Sequence, residues 1–309
     1  MKAEPTDLAA SISGRLRNLA RERGIGFEFV LRRYALERLL LRLSLSPHRE
    51  RFVLKGAMLF TAWLADPFRP TRDLDLLGFG DPAISSIVQA FGDICRQHSP
   101  ADGLAFDVDG LIAEQIRDDQ LYGGIRIRTR AFLGKTRIPI HVDIGFGDAI
   151  TPGVIEIELP SLLDAAKPRL KAYPRETVVA EKFQAIVALG MANSRMKDFY
   201  DLLALSRLFS FDGSTVAAAI RATFERRKTP VPARRPTGLS AAFASDAQKM
   251  TQWQAFTSRE PMLFRAGSLS SVTDEIAAFI MPAARAAGLG SLFGTTWTPP
   301  GPWRPADNN

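Results

Sequence analysis

The sequence predicts an α+β protein: a sheet with helices on one side, preceded by helices and followed by a helical half. Three observations carry this prediction. Apolar residues recur at helical spacing up to about residue 45. From about residue 50 they collect into short runs and strict alternations, and after Pro152 helical periodicity returns and persists to about residue 287.

In the first helical stretch, Leu8, Ile12, Leu16 and Leu19 keep a period of three to four residues. Leu31, Tyr34, Leu36, Leu39 and Leu40 do so approximately, and Arg23-Gly24-Ile25-Gly26 separates the two helices. Their basic residues (Arg15, Arg17, Arg21, Arg32 and Arg33) read as a solvated surface, with a binding face as the alternative. Phe52-Val53-Leu54 is a short strand that enters a turn at Gly56, and residues 57–64 read as a helix broken by Pro67 and Pro70. Residues 73–79 form a strand, 82–97 a helix, and β-rich runs follow at 105–116, 124–132 and 137–146. One more strand-like piece, 154–159, leads into helical segments near 174–189, 194–208, 214–227, 239–257 and 268–287. These divisions suggest an N-terminal helical segment (1–50), a core (51–160), a C-terminal helical domain (161–294) and a flexible, Pro-rich tail (295–309).

Composition limits the function classes. The chain has 309 residues, 46% of them hydrophobic and 24% charged, as in an ordinary globular protein of two packed units. Forty Lys+Arg against 33 Asp+Glu gives a net charge of +7, which draws the molecule toward polyanions without proving that it binds them. Cys95 is the one cysteine and the three histidines are scattered, which excludes an intrachain disulfide and a Cys/His zinc site. No apolar run is long enough to span a membrane and the first residues lack a signal-peptide core, so a reducing cytoplasmic setting without membrane contact is expected.

The chemistry-bearing residues are acids. In Asp73-Leu74-Asp75 the two carboxylates are two residues apart, so on a strand they share a face while Leu74 and Leu76 take the other. In the 137–144 strand, Ile138, Ile140, Val142 and Ile144 fill one face and Arg137, His141 and Asp143 the opposite one. If the strands are neighbours, three carboxylates converge, a donor set that suits Mg²⁺ and, with two ions, an in-line displacement at phosphorus. Gly56 between strand and helix allows close backbone approach to a phosphate. Arg126, Arg128 and Arg130 alternate with Ile or Thr, leaving open either a phosphodiester contact or an edge strand protected by charge. The basic loop from Arg226 to Pro236 leaves open either contact with a phosphate backbone or a mobile surface loop. On the residues alone, Lys182 reads as the solvated side of an amphipathic helix, and Arg195/Asp198 and Lys197/Asp201 as surface ion pairs.

Taken together, these motifs resemble the DNA polymerase β-type nucleotidyltransferase superfamily, and within it the AbiEii/AbiGii toxin family. The resemblance rests on Phe52-Val-Leu-Lys-Gly-Ala57 with Arg69-Pro-Thr-Arg-Asp-Leu-Asp-Leu76, and on His141-Val-Asp-Ile-Gly-Phe-Gly-Asp148. It continues through Tyr173-Pro-Arg-Glu-Thr-Val-Val-Ala-Glu-Lys182, Ser194-Arg-Met-Lys-Asp-Phe-Tyr-Asp201 and Gln252-Trp-Gln-Ala-Phe256, so it spans about residues 50–260. It implies a mixed-sheet nucleotidyltransferase core in which Asp73, Asp75 and Asp143 hold Mg²⁺, as two ions. Lys182 and Asp198 would join them in catalysis, with Lys55, Gly56, Ala57, Lys182 and Arg195 around the nucleotide. Position 57 departs from the family pattern, because Ala stands where Gly or Ser is usual and only backbone donors remain. The implied activity is that of a toxin moving a nucleotide, with a pyrimidine NTP favoured, onto the 3′ acceptor end of tRNA or another RNA. A cognate antitoxin would restrain it. A protein or small-molecule acceptor, or nucleotide binding without turnover, are the alternatives. Both Asp73→Ala and Lys182→Ala are expected to abolish transfer and leave the fold intact.

Overall fold

The computed structural model describes residues 5–64, 73–99, 102–116, 123–258 and 262–306. They form two compact units: residues 1–147 with 155–172, and residues 148–154 with 173–309. Pro67, Pro70 and the Arg69–Arg72 part of the first motif lie outside the described residues.

The first unit begins with α1 (Pro5–Glu22) and α2 (Phe27–Leu45), followed by β1 (Phe52–Lys55), α3 (Met58–Leu64), β2 (Leu74–Gly78) and α4 (Ile84–Arg96). Then come β3 (Leu104–Phe106), β4 (Ile112–Ile116), β5 (Gly124–Leu133), β6 (Thr136–Phe146), β7 (Ile155–Glu158) and β8 (Arg169–Ala172). Among the described residues these strands make one eight-stranded sheet in the order β3-β5-β6-β2-β1-β8-β7, with β4 also on β5. It is mixed: β2 runs parallel to β6 and β1 to β8, while the other pairs are antiparallel. The α+β expectation with a mixed sheet therefore holds. Strand β8 was missed, because Arg-Leu-Lys-Ala carries only a two-residue alternation of Leu170 and Ala172 against Arg169 and Lys171.

The period-2 reading of the strands is met in their burial. In β6, Ile138, Ile140, Val142 and Ile144 are buried, and His141 and Asp143 on the other face are half-buried. Helices α1, α2 and α4 pack on this sheet and on one another, covering its apolar side. Helix α2 also brings charges inside. Arg38 ion-pairs with Glu37 and donates to the Ala166 carbonyl at 2.8 Å, while Glu37 accepts from the Leu162 amide at 3.1 Å. Arg42 pairs with Asp102 at 2.6 Å. A buried ion costs several kcal/mol unless partnered, so these contacts tie the 102–104 and 161–166 connections to the helix. The basic residues of α1 are not merely solvated: Arg15 donates to the Leu163 carbonyl at 2.8 Å, and Arg17 lies over the Phe27 ring.

Cys95 sits on the packed side of α4, where burial pushes its thiol up to about 12. The native chain is therefore expected to resist a thiol reagent at pH 8 and to react with one equivalent once unfolded in urea. Rapid labelling of the native protein would contradict this packing.

The second unit is built from α5 (Arg175–Leu189), α6 (Met196–Leu208), β9 (Phe211–Asp212), α7 (Gly213–Arg226), α8 (Ala241–Ser245), α9 (Ala247–Ser258) and α10 (Leu269–Leu289). Two further strands follow, β10 (Thr295–Trp297) and β11 (Trp303–Pro305). Side-chain caps fix helix starts: Asp212 accepts from the Thr215 amide at 2.8 Å before α7, and Ser268 from the Ser271 amide at 3.2 Å before α10. The segment expected as a loose tail is ordered through residue 305. Strand β10 pairs with both β9 and β11, and Trp297, Trp303 and Phe211 gather around Phe279 of α10. The indole nitrogens of both tryptophans are satisfied by backbone, Trp297 on the Ser206 carbonyl and Trp303 on that of Phe279, each at 2.7 Å. Among the described residues no helix is long and apolar enough to cross a membrane.

Candidate active site

The sheet register brings the predicted acids of the first unit together. Asp75 on β2 stands directly beside Asp143 on β6 in the parallel pair. Asp73 immediately precedes β2 on the same face, and its Oδ1 lies 3.2 Å from His141 Nδ1. His141 is thus a neighbour of the first acid. On the flanks of the acid pair the register places Lys55 opposite Asp75 and Arg126 opposite Asp143, with Glu114 beyond Arg126. The result is a single row of charged residues across five strands: Lys55, Asp75, Asp143, Arg126, Glu114. Two like charges side by side on paired strands are unfavourable, and here a cationic residue bounds each end of the pair.

Arg126 does more than bound it. Its Nε and Nη2 donate to Asp143 Oδ1 and Oδ2, each at 2.7 Å, a bidentate pair that raises the guanidinium pKa further above its ordinary value. Sequence reasoning placed Arg126 in a row open to either a phosphodiester contact or the protection of an edge strand by charge. In the structure Arg128 likewise pairs with Glu114 at 2.5 Å, and Arg130 is 3.7 Å from Asp107. The alternation at 125–130 revealed the common face; the acids opposite it required the register.

The turn at Gly56 abuts the acids. Gly56 has φ of +72°, and a Cβ there would come within 2.0 Å of Asp75 Oδ2. Both the backbone conformation and the carboxylate demand glycine. Gly56→Ala is expected to cost about 1–3 kcal/mol and to displace Asp75, lowering activity with it. An unchanged urea midpoint together with unchanged transfer would show that the turn does not support the acid. Ala57 follows without a side-chain donor, and its carbonyl accepts from the Phe60 amide at 3.2 Å.

Carboxylates sharing one face are hard oxygen donors of the kind Mg²⁺ takes, so the donor set fits the cation the motifs imply. Among the described residues, however, no three acidic, histidine or cysteine side chains are gathered closely enough to hold an ion as they stand. Asp143 has both of its oxygens on Arg126.

In the second unit, the Lys182 and Arg195–Asp201 motifs form a second cluster. Lys182 is no solvated lysine: its Nζ lies 2.7 Å from Asp198 Oδ1 and 2.8 Å from Asp201 Oδ2, and both acids are wholly buried. Arg195 Nε is 2.8 Å from Asp198 Oδ2. Burial raises the Asp198 carboxyl, but Lys182 and Arg195 more than reverse this and hold it below the ordinary carboxylate range. The expected Arg195–Asp198 pair is thus present but with its acid buried, and Lys182 with Asp198 and Asp201 forms a buried triad that joins α5 to α6. Asp201, read as a partner of Lys197, lies instead against Lys182, a pairing that sequence reasoning missed. Its position three residues after Asp198 put both acids on one helix face, the signal that was there to find. Asn193, also buried, holds the turn before α6: its Oδ1 accepts from the Arg195 amide at 2.8 Å and its carbonyl from Lys249 Nζ at 3.0 Å.

A further network in this unit was not anticipated. Arg227, read as part of a basic loop, contacts Asp148 at 3.2 Å, Glu181 at 2.9 Å and Gln184 at 2.9 Å. Burial alone would lower its guanidinium pKa, and the two acids raise it overall. The Tyr173 hydroxyl, 3.5 Å from Asp148, is raised by burial and by the same acids. Arg235 of the loop pairs with Asp274 at 2.7 Å. Arg227 and Arg235 of the loop are therefore committed to the protein itself.

A family model described as the nucleotidyl transferase AbiEii toxin of type IV toxin–antitoxin systems matches residues 38–273. No curated protein matches the chain. Among solved structures, a candidate nucleotidyltransferase from H. pylori is similar at 13% identity and a TM-score of 0.48, covering 86% of this chain and 97% of that one. JHP933 from Helicobacter pylori is similar at 14% identity and a TM-score of 0.47, covering 84% of this chain and 92% of its own.

Proposed function

The chain belongs to the nucleotidyl transferase AbiEii toxin family and is a nucleotidyltransferase, and from that premise we propose that it transfers a nucleotide from an NTP to RNA in a Mg²⁺-dependent reaction. The acceptor is the 3′ end of tRNA, the nucleotide a pyrimidine, and the consequence a block in translation. The observation that carries this reading is the side-by-side placement of Asp75 and Asp143, with Asp73 on the same face and Gly56 set against the Asp75 carboxylate.

On this reading an acceptor hydroxyl attacks the α-phosphorus, a new P–O bond forms, and pyrophosphate leaves with the electrons of the bond that breaks. Asp73, Asp75 and Asp143 would hold Mg²⁺, which when bound neutralises the triphosphate and orients it for in-line displacement. The chain's own residues position the reactants. The Gly56 turn, lacking a side chain, admits the triphosphate close to the backbone, and Lys55 beside it adds positive charge. A carboxylate of this face takes up the hydroxyl proton. Lys182, Arg195 and Asp198 are proposed as the contribution of the second unit to nucleotide contact and catalysis. With the ammonium of Lys182 between two buried acids, a nucleotide phosphate would have to share it with them.

The net charge of +7 supports a polyanionic acceptor. The row of Arg126, Arg128 and Arg130 lends less support, since each arginine already faces an acid. A cognate antitoxin is proposed as the partner, in keeping with the toxin–antitoxin character of the family. The test is transfer from each of four α-³²P-labelled NTPs, with Mg²⁺, into total bacterial RNA and protein resolved on a gel. A labelled band at tRNA size is expected from a pyrimidine NTP. Label in protein alone would overturn the RNA acceptor.

A further inference from the structure

The bidentate pair at Asp143 bears on how the acidic face becomes competent, an inference that rests on the cation reading above. We infer that Arg126 competes with the divalent cation for Asp143: its guanidinium satisfies the carboxylate in the cation-free protein, and the cation binds as this pair opens.

Four features of the row support it. The two donors of Arg126 reach both oxygens of Asp143 at 2.7 Å, so no lone pair aimed along the fork is left for an ion without displacing it. The pair forms across the β5–β6 register, so the two side chains are held together by the ladder and meet without any loop rearrangement. Opening the pair also strands neither charge. Arg126 is 34% exposed in its side chain, and Glu114, which pairs with Arg128, stands opposite it on β4. Asp75 lies beside Asp143, so a divalent cation arriving there brings its charge to two carboxylates, where the guanidinium bridges the oxygens of one. The exchange is favourable only for a multiply charged ion, and it leaves a guanidinium next to the site where a triphosphate is proposed to bind.

The experiment is a Mn²⁺ titration of the full chain without nucleotide, following free ion by EPR, for the wild type, Arg126→Gln, Arg126→Lys and Asp143→Asn. Arg126→Gln is expected to bind Mn²⁺ roughly three- to tenfold more tightly than wild type, the scale of a partly exposed ion pair. Arg126→Lys, which keeps the charge and loses the fork, is expected between them, and Asp143→Asn below wild type. Melting adds a readout that a purely structural arginine would not give: Arg126→Gln should melt below wild type in EDTA, with saturating Mn²⁺ closing the gap. A folded Arg126→Gln or Arg126→Lys that binds Mn²⁺ no more tightly than wild type, with Asp143→Asn still weakened, would overturn the competition and leave the acidic site standing. Wild-type Mn²⁺ binding by Asp143→Asn, or no binding by any variant, would overturn the site itself.

Discussion

Asp73→Ala is expected to reduce nucleotidyl transfer by at least roughly 10²–10³-fold, the usual cost of removing one preorganised electrostatic contact to a reacting centre. The chain should nevertheless stay folded. The Asp73 side chain is 45% exposed and sits just ahead of β2, so its loss opens no cavity. Its neighbour His141, 40% exposed, remains in contact with solvent. Labelled-NTP transfer and a thermal melt on the same preparation check both halves. A variant that melts like wild type and still transfers at the wild-type rate would remove Asp73 from the site. A variant that is inactive and also unfolded would show that the acid is part of the structure.

Lys182→Ala should behave differently, and this corrects the expectation drawn from the sequence. Its ammonium is the shared counter-ion of Asp198 and Asp201, two carboxylates with no exposure to solvent. Removing it takes the shared cation from both buried acids and leaves Asp198 with Arg195 alone of the two cations, a loss of about 3–5 kcal/mol. Because a domain is typically stable by only about 5–15 kcal/mol, much of the margin would go. Inactivity of Lys182→Ala is therefore no proof of a catalytic role. The informative variant is the neutral triad, Lys182→Met with Asp198→Asn and Asp201→Asn, which should recover stability while activity, if these groups touch the nucleotide, stays lost. The pH dependence follows from the sign of the Asp198 shift. Its carboxyl in the folded chain lies below the ordinary value of 3.8, so as pH falls the unfolded chain takes up the proton first. The stabilisation is complete above that value and disappears as the pH falls below it. Urea midpoints between pH 7 and pH 3 should decline for wild type at the acid end and be flatter for Asp198→Asn.

The sequence made the acids legible because strand chemistry has a period of two. The alternation around Asp143 and the spacing of Asp73 and Asp75 determine their faces without any knowledge of partners. Gly56 was legible as a turn, yet its closeness to the Asp75 carboxylate depends on how β1 and β2 pair. What could not be read was any pairing that depends on register between distant segments. Arg126 with Asp143 and Lys182 with Asp201 are of this kind. The residues involved were named, but their neighbours belong to other elements. The C-terminal strands escaped for a local reason. Pro299, Pro300, Pro302 and Pro305 signal a loop, whereas the ordering of that segment comes from Trp297 and Trp303 finding Phe279. In α2, similarly, burial of Glu37, Arg38 and Arg42 hides beneath a charge pattern that reads as a wet face.

The strand order has a consequence for synthesis on the ribosome. Asp75 meets Asp143 only when β6 has been made, and β1 gains its second neighbour only when β8 follows. Contacts between segments far apart in the chain form slowly and late. A nascent chain carrying Gly56 and the Asp73–Asp75 pair alone thus holds the first half of an acidic face and none of its partner strand. For a member of a toxin family, this order of assembly delays a complete acidic face until most of the first unit has left the ribosome, so an interrupted round of translation releases a fragment without one.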